Sequence, residues 1–157
     1  MVDVPLAYFI TIRTYGTWLH GDERGSVDRE HHKFDTELIA ADERRWLESA
    51  RSLAAAPFVF DDAMRQLATA VIHELFSFRQ WKEWALNVRT NHIHFVVTSR
   101  LSPERVMNDV KARVTRRLRE EHLLSADASV WTRHGSTQYL WQPSDLDGAC
   151  RYVMDCQ

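Results

Sequence analysis

Residues 82–98 read Lys82-Glu-Trp-Ala-Leu-Asn-Val88-Arg-Thr-Asn-His92-Ile-His-Phe-Val-Val-Thr98, two apolar-alternating runs separated by Thr90 and Asn91. Alternation with period two is the mark of half-buried strands, and a short polar break between two such runs predicts an antiparallel hairpin. With a two-residue turn, Val88 opposes Ile93, Leu86 opposes Phe95 and Trp84 opposes Val97, which makes one face wholly apolar. The other face then carries Arg89, His92, Asn87 and His94. Thr-Asn is a weaker turn pair than Asn-Gly, so the strands are better specified than the loop.

Outward from the hairpin, the chain supplies the rest of a sandwich. Residues 7–13 are β-branched and aromatic, with Tyr8, Ile10 and Ile12 on one face, and predict a strand. The polar stretch from Tyr15 to Lys33, punctuated by Gly16, Gly21 and Gly25, predicts a long loop. Residues 36–54 predict a helix striped by Trp46, Leu47, Ala50, Leu53 and Ala54, stopped by Pro57. Asp61 is an N-cap for an amphipathic helix through Met64, Leu67, Ala68, Val71, Ile72 and Leu75. Ser102-Pro103-Glu104 opens a further helix with the stripe Val106, Val110, Val114 and Leu118. Residues 137–141 predict a last strand, and Ser144 with Asp147 resembles a capping box opening a final helix.

This order predicts an α+β fold, a ferredoxin-like split βαβ sandwich. Its four-stranded antiparallel sheet has helices on one face and an added C-terminal helix. The 157 residues, 45% hydrophobic, suit one domain, 1–157, with a loop and helix insertion at about 15–60. The formal net charge of −2 neither announces a nucleic-acid partner nor excludes one with local contacts. Cys150 and Cys156 form neither a disulfide framework nor a zinc motif, which suits a reducing cytoplasm. The N-terminus shows no signal-like stretch and no run is long and apolar enough to cross a membrane, so the chain is expected to be soluble, cytoplasmic and unprocessed.

Three features carry chemistry. His92 and His94, two apart on a strand, point the same way and can share one cation. Eight histidines in this length give roughly 0.4 His-x-His triplets by chance, so spacing alone is weak and the register supplies the weight. Tyr152 lies roughly 110° off the apolar stripe of the last helix, Leu146, Ala149, Cys150 and Val153, on its flank. The commoner fate of such a tyrosine is to pack its ring and show its hydroxyl to water. The helix after Ser102 sets Arg105, Lys111, Arg113, Arg116, Arg117 and Arg119 against Asp109 alone between residues 105 and 119, a local excess that suits phosphate contacts. Arg89 and Asn91 flank the histidines, and Tyr139 with Trp131 and Trp141 offers stacking surfaces for bases.

Taken together, the Asn91-His-Ile-His-Phe-Val-Val97 motif, the basic helix, the segment from Trp131 to Trp141 and the helix from Ala149 to Gln157 resemble the REP-associated tyrosine transposases and related single-tyrosine HUH transposases. The segment Thr14-Tyr-Gly-Thr-Trp-Leu-His-Gly-Asp-Glu-Arg-Gly25 is similar to the same group. The resemblance implies strand transfer on single-stranded or hairpin DNA through a 5′-phosphotyrosine at Tyr152. It implies a divalent cation, Mg²⁺ or Mn²⁺, on His92, His94 and a polar residue near the tyrosine. It further implies DNA contacts from Arg89, Asn91, Lys111, Arg113, Arg116, Arg117 and Trp141, and relatives that are monomers or homodimers. In this group the third ligand is usually an Asn or Gln one turn beyond the tyrosine. Here that position is Cys156, so Gln157 ranks first and Asp155 second, although an ideal helix turns Gln157 roughly 140° from Tyr152.

The chain stops where related proteins often continue, which reads as a truncated copy. Two other functions compete: a non-catalytic DNA-hairpin-binding protein, and a metal-dependent phosphodiesterase that uses water and leaves Tyr152 incidental. An RNA-binding sheet would present aromatics where this strand presents His92 and His94. Tyr15, in the long loop, is the reserve nucleophile.

Overall fold

The computed structural model describes residues 3–16, 57–125 and 127–155. Most of the expected loop 15–33, the whole expected helix 36–54, Cys156 and Gln157 lie outside the described residues. Elements run β1 (Ala7–Thr14), α1 (Asp62–Arg79), β2 (Lys82–Val88), β3 (His92–Thr98), α2 (Pro103–Glu120), β4 (Trp131–Leu140) and α3 (Pro143–Asp155). They form a four-stranded sheet in the order β2-β3-β1-β4. Every pairing is antiparallel. This is the strand order of a ferredoxin-like split βαβ unit.

Local signals start the helices where the sequence indicates. The Asp61 carboxylate accepts the Met64 amide at 2.8 Å, and the Ser102 hydroxyl accepts that of Arg105 at 3.3 Å with Pro103 in the first turn. α1 ends on Gln80 in the left-handed conformation, φ 58°. Helix α3 opens two residues earlier than expected, at Pro143. The carboxylate reaching back is that of Asp145, which accepts the Gln142 amide at 3.3 Å, in place of the expected Ser144–Asp147 box.

The hairpin register holds near the turn and slips away from it. Val88 opposes Ile93, Asn87 opposes His94 and Leu86 opposes Phe95, but Val97 is opposed by Glu83, with a bulge at Trp84. Trp84 is not part of the apolar face. Its indole N–H donates to Thr98 Oγ1 at 2.9 Å and the Lys82 ammonium sits over its ring at 4.2 Å, so the side chain is served at the sheet edge. β4 also starts earlier than the expected 137, at Trp131, because its polar first half pairs with β1 across an irregularity between Ile12 and Thr14. Trp141 falls just beyond the strand.

Two apolar clusters sit on opposite sides of the sheet. Tyr8, Ile10, Ile12, Ile93, Phe95 and Val97 meet the inner faces of α1 and α2 in the larger one. All four expected α2 positions, Val106, Val110, Val114 and Leu118, are fully buried there. The smaller cluster joins Ala7, Phe9, Ala85, Val96 and Leu140 to Leu146, Ala149 and Val153 of α3. Thus α3 covers the face opposite α1 and α2. Burying Leu146 and Val153 alone is worth about 3–6 kcal/mol, enough to dock a helix of this length.

Candidate functional site

The sheet face beneath α3 is built from the alternate positions of three strands. Phe9, Thr11 and Arg13 of β1 lie in register with Val96, His94 and His92 of β3. Asn87 of β2 opposes His94 on the other side, and the Arg89 amide donates to the His92 carbonyl at 2.8 Å. Strand alternation puts all of these side chains on one face because Ile10, Ile12, Val88, Ile93 and Phe95 take the other. The histidines are therefore adjacent by construction, with ring centroids 4.8 Å apart and planes nearly perpendicular.

Tyr152 comes to this face from α3. Its neighbour Val153 is buried, while Tyr152 is 40% exposed, as expected for a residue on the flank of the stripe. Its ring meets His94 edge to face at 5.8 Å and Phe9 at the same distance. The Asn87 side-chain amide donates to the Val153 carbonyl at 3.0 Å, which ties the second half of α3 to β2 next to the tyrosine. His94 is 2% exposed, lodged under these rings, whereas His92 is half-buried at the mouth.

Asn91 acts on the histidine and on the frame. Its side-chain oxygen lies 2.7 Å from His92 Nδ1, and its carbonyl accepts from the Thr14 amide at 2.9 Å and the Thr14 hydroxyl at 3.1 Å. An amide oxygen on Nδ1 calls for a proton there and leaves Nε2 with its lone pair, the arrangement of an outer-shell partner that orients a metal-binding imidazole. The donor set fits a divalent cation as far as His92 and His94 go. No group of three or more His, Cys, Asp or Glu suited to a metal occurs among the described residues, and Gln157 lies outside them. Asp155 ends α3, exposed.

Arg13 was not among the expected site residues. It opposes His92 on the same face, and burial pulls its guanidinium below the usual arginine range, while the neighbouring Tyr152 hydroxyl acts in the opposite direction. Its signal was available: if Tyr8, Ile10 and Ile12 face one layer, then Phe9, Thr11 and Arg13 face the other. Asn87 was placed on the histidine face but its hold on α3 has no sequence signature.

The basic helix lies elsewhere. α2 packs on the far face of the sheet from Tyr152 and the histidines. Arg117 is paired with Glu74 at 3.1 Å and Glu120 at 3.5 Å, and Arg116 approaches Glu120 at 3.6 Å. Lys111 donates to the Thr132 carbonyl at 3.1 Å, and burial lowers its ammonium from the usual lysine range. Lys111 and Arg116, with Arg119, Thr115 and Trp131, line an open groove of about 550 Å³. Arg113 is half-buried on the same helix. Trp141 is exposed at the opposite end of β4 from Trp131 and meets Tyr139 at 5.9 Å. Tyr15, the reserve nucleophile, follows β1 directly and donates its amide to the Val130 carbonyl at 2.8 Å.

With this geometry in hand, similarity to known proteins fixes the class. The family model for IS200-like transposases matches residues 56–145, a segment that holds both histidines and ends in the first turn of α3. The chain belongs to the IS200-like transposase family. A solved structure described as the REP-associated tyrosine transposase bound to a REP hairpin is 11% identical, with a TM-score of 0.53 over 98% of this chain and 67% of that one. At that identity the likeness concerns the fold. No curated protein matches the chain.

Proposed function

We propose that the protein cleaves and rejoins single-stranded DNA, with Tyr152 as nucleophile and His92 and His94 as ligands of a divalent cation. The observation that carries this reading is the edge-to-face meeting of Tyr152 with His94 on the one sheet face where both histidines converge. A phenol has an ordinary pKa near about 10 and is a weak nucleophile at neutral pH, so the phosphate it attacks must be held and made electrophilic. An ion on His92 and His94 would supply that by drawing electron density from a non-bridging oxygen.

The chain's own residues do the positioning. Asn91 fixes the His92 ring, Asn87 fixes the end of α3, and the packed face of Phe9 limits where the tyrosine ring can lie. Attack by the Tyr152 oxygen forms a bond to phosphorus as the bond to the 3′ oxygen breaks. The phenolic proton passes to water and the departing 3′ oxygen takes one up. The phosphotyrosine conserves the phosphoester for rejoining, which separates transfer from hydrolysis.

Hairpin DNA is the substrate class suggested by the hairpin-bound transposase of like fold, and the described residues include no helix long and apolar enough to cross a membrane. The test is a denaturation-resistant protein–DNA adduct formed on hairpin-bearing single strands with Mn²⁺ and lost in Tyr152→Phe. Cleavage that persists in Tyr152→Phe would instead identify a phosphodiesterase, and hairpin binding without cleavage a DNA-binding relative.

A further inference from the structure

Strand β1 and the residue that follows β2 set an arginine on either side of His92. The β1–β3 register sets Arg13 directly opposite His92, and the Arg89 amide, one residue past β2, donates to the His92 carbonyl at 2.8 Å. Directly opposed residues on neighbouring strands hold their Cβ atoms about 5 Å apart, so Arg13 and His92 form one row across the sheet, with the Arg89 backbone bonded at its far end. The row runs along the mouth of the site, while His94 and Thr11 make the buried row behind it.

The position of Arg13 is fixed from both sides. Its carbonyl accepts from the Thr132 hydroxyl at 3.3 Å, and the next residue, Thr14, is clamped to Asn91 by its amide and its hydroxyl. The side chain is half-buried on the α3 face, the face to which Tyr152 also comes. A guanidinium on the strand position beside His92, on the face that α3 covers with Tyr152, is within reach of a phosphate approached by that phenol. Its planar fork suits two phosphate oxygens.

Resting on the reading of Tyr152 as nucleophile, we propose that Arg13 is a catalytic residue that binds the non-bridging oxygens of the scissile phosphate. Arg13 neutralises charge that grows on these oxygens as the Tyr152 oxygen adds and the 3′ oxygen departs.

The test varies the charge on both partners. Arg13→Gln lowers the rate of adduct formation by about a hundredfold on a normal strand, the scale seen when one preorganised donor is removed. Arg13→Lys recovers part of that loss. On a strand with a neutral methylphosphonate at the cleavage position, wild type and Arg13→Gln react at comparable rates, because the methyl group removes the non-bridging charge that the arginine would otherwise have to neutralise. An equal penalty for Arg13→Gln on both strands would overturn the proposal. Tyr152→Phe runs alongside: adducts that survive it sink the nucleophile reading, whereas adducts lost with Tyr152 and indifferent to Arg13 sink only this inference. A second measurement needs neither catalysis nor metal. The Arg13 Nε–H resonance, assigned by its absence from Arg13→Lys, shifts saturably as inorganic phosphate is titrated into wild type, and a resonance that stays put contradicts the contact.

Discussion

The ring of Tyr152 stands edge-on to the ring of His94, centroids 5.8 Å apart, although the two residues come from a helix and a strand separated by the whole of α2 and β4. The contact follows from two alternations. Period two on β3 turns His94 toward α3, and period 3.6 on α3 turns Leu146, Ala149 and Val153 into the sheet while leaving Tyr152 on the flank.

The Asn87–Val153 bond is what holds that flank in place, so Asn87→Ala is expected to cost more in chemistry than in stability. One hydrogen bond is worth about 1 kcal/mol. Urea unfolding of Asn87→Ala should therefore show a loss of about 1 kcal/mol, while adduct formation falls by more than the roughly fivefold that this energy corresponds to. Unchanged adduct formation would mean that apolar packing alone positions α3.

Asn91 orients His92 through Nδ1 at 2.7 Å. Asn91→Ala should weaken Mn²⁺ binding by about 10- to 100-fold, the usual cost of removing an outer-shell partner, whereas His92→Ala should remove cation-dependent cleavage with the fold retained. Isothermal titration of the metal on both variants checks this, and equal affinity in Asn91→Ala and wild type would leave the asparagine a purely structural turn residue.

Gly135 marks the closest approach of β4 to its neighbours. A Cβ there would stand 2.6 Å from the Thr11 carbonyl oxygen and 2.7 Å from Met107 Sδ. The methionine can move and the backbone carbonyl cannot do so cheaply. Gly135→Ala is expected to destabilise the protein by about 1–3 kcal/mol, read as a lower thermal midpoint. An unchanged midpoint would show that β4 shifts without cost.

Cys150 tests the docking of α3 from its other side. Burial, reinforced by Asp147, pushes its thiol above the ordinary range. A raised thiol pKa means less thiolate at a given mildly alkaline pH, so Cys150 should alkylate more slowly in the native protein than in urea, and the two rates should converge as pH rises. Peptide-level mass spectrometry separates it from Cys156. Equal native and unfolded rates would indicate that α3 lifts readily off the sheet.

Much of this architecture was legible because apolar periodicity and burial are the same fact seen twice. The Val88–Ile93 register, the Asp61 and Ser102 caps and the stripe of α2 all rest on such periodicity or on capping chemistry. Trp84 misled because an aromatic fits the alternation whether it packs inward or bulges out, and here Thr98 and Lys82 receive it at the edge. The first half of β4, Trp-Thr-Arg-His-Gly-Ser, has no apolar phase and is held by backbone pairing with β1, which leaves no side-chain pattern to read. Arg13 is hidden for a different reason: the apolar phase of β1 specifies the layer beneath α1 and α2, and the complementary phase forms the floor of the site. The separation of α2 from the histidines belongs to topology, since charge content says nothing about which face of a sheet a helix covers.

The most direct test of the account is to place a label at the 3′ end of a hairpin-bearing single strand, add Mn²⁺ and ask which fragment stays on the protein. Attack by Tyr152 with departure of the 3′ oxygen leaves the downstream fragment joined through its 5′ phosphate, so the label should travel with the denatured protein and map to the peptide containing Tyr152. A free labelled fragment with no adduct, or an adduct that maps to Tyr15, would contradict it.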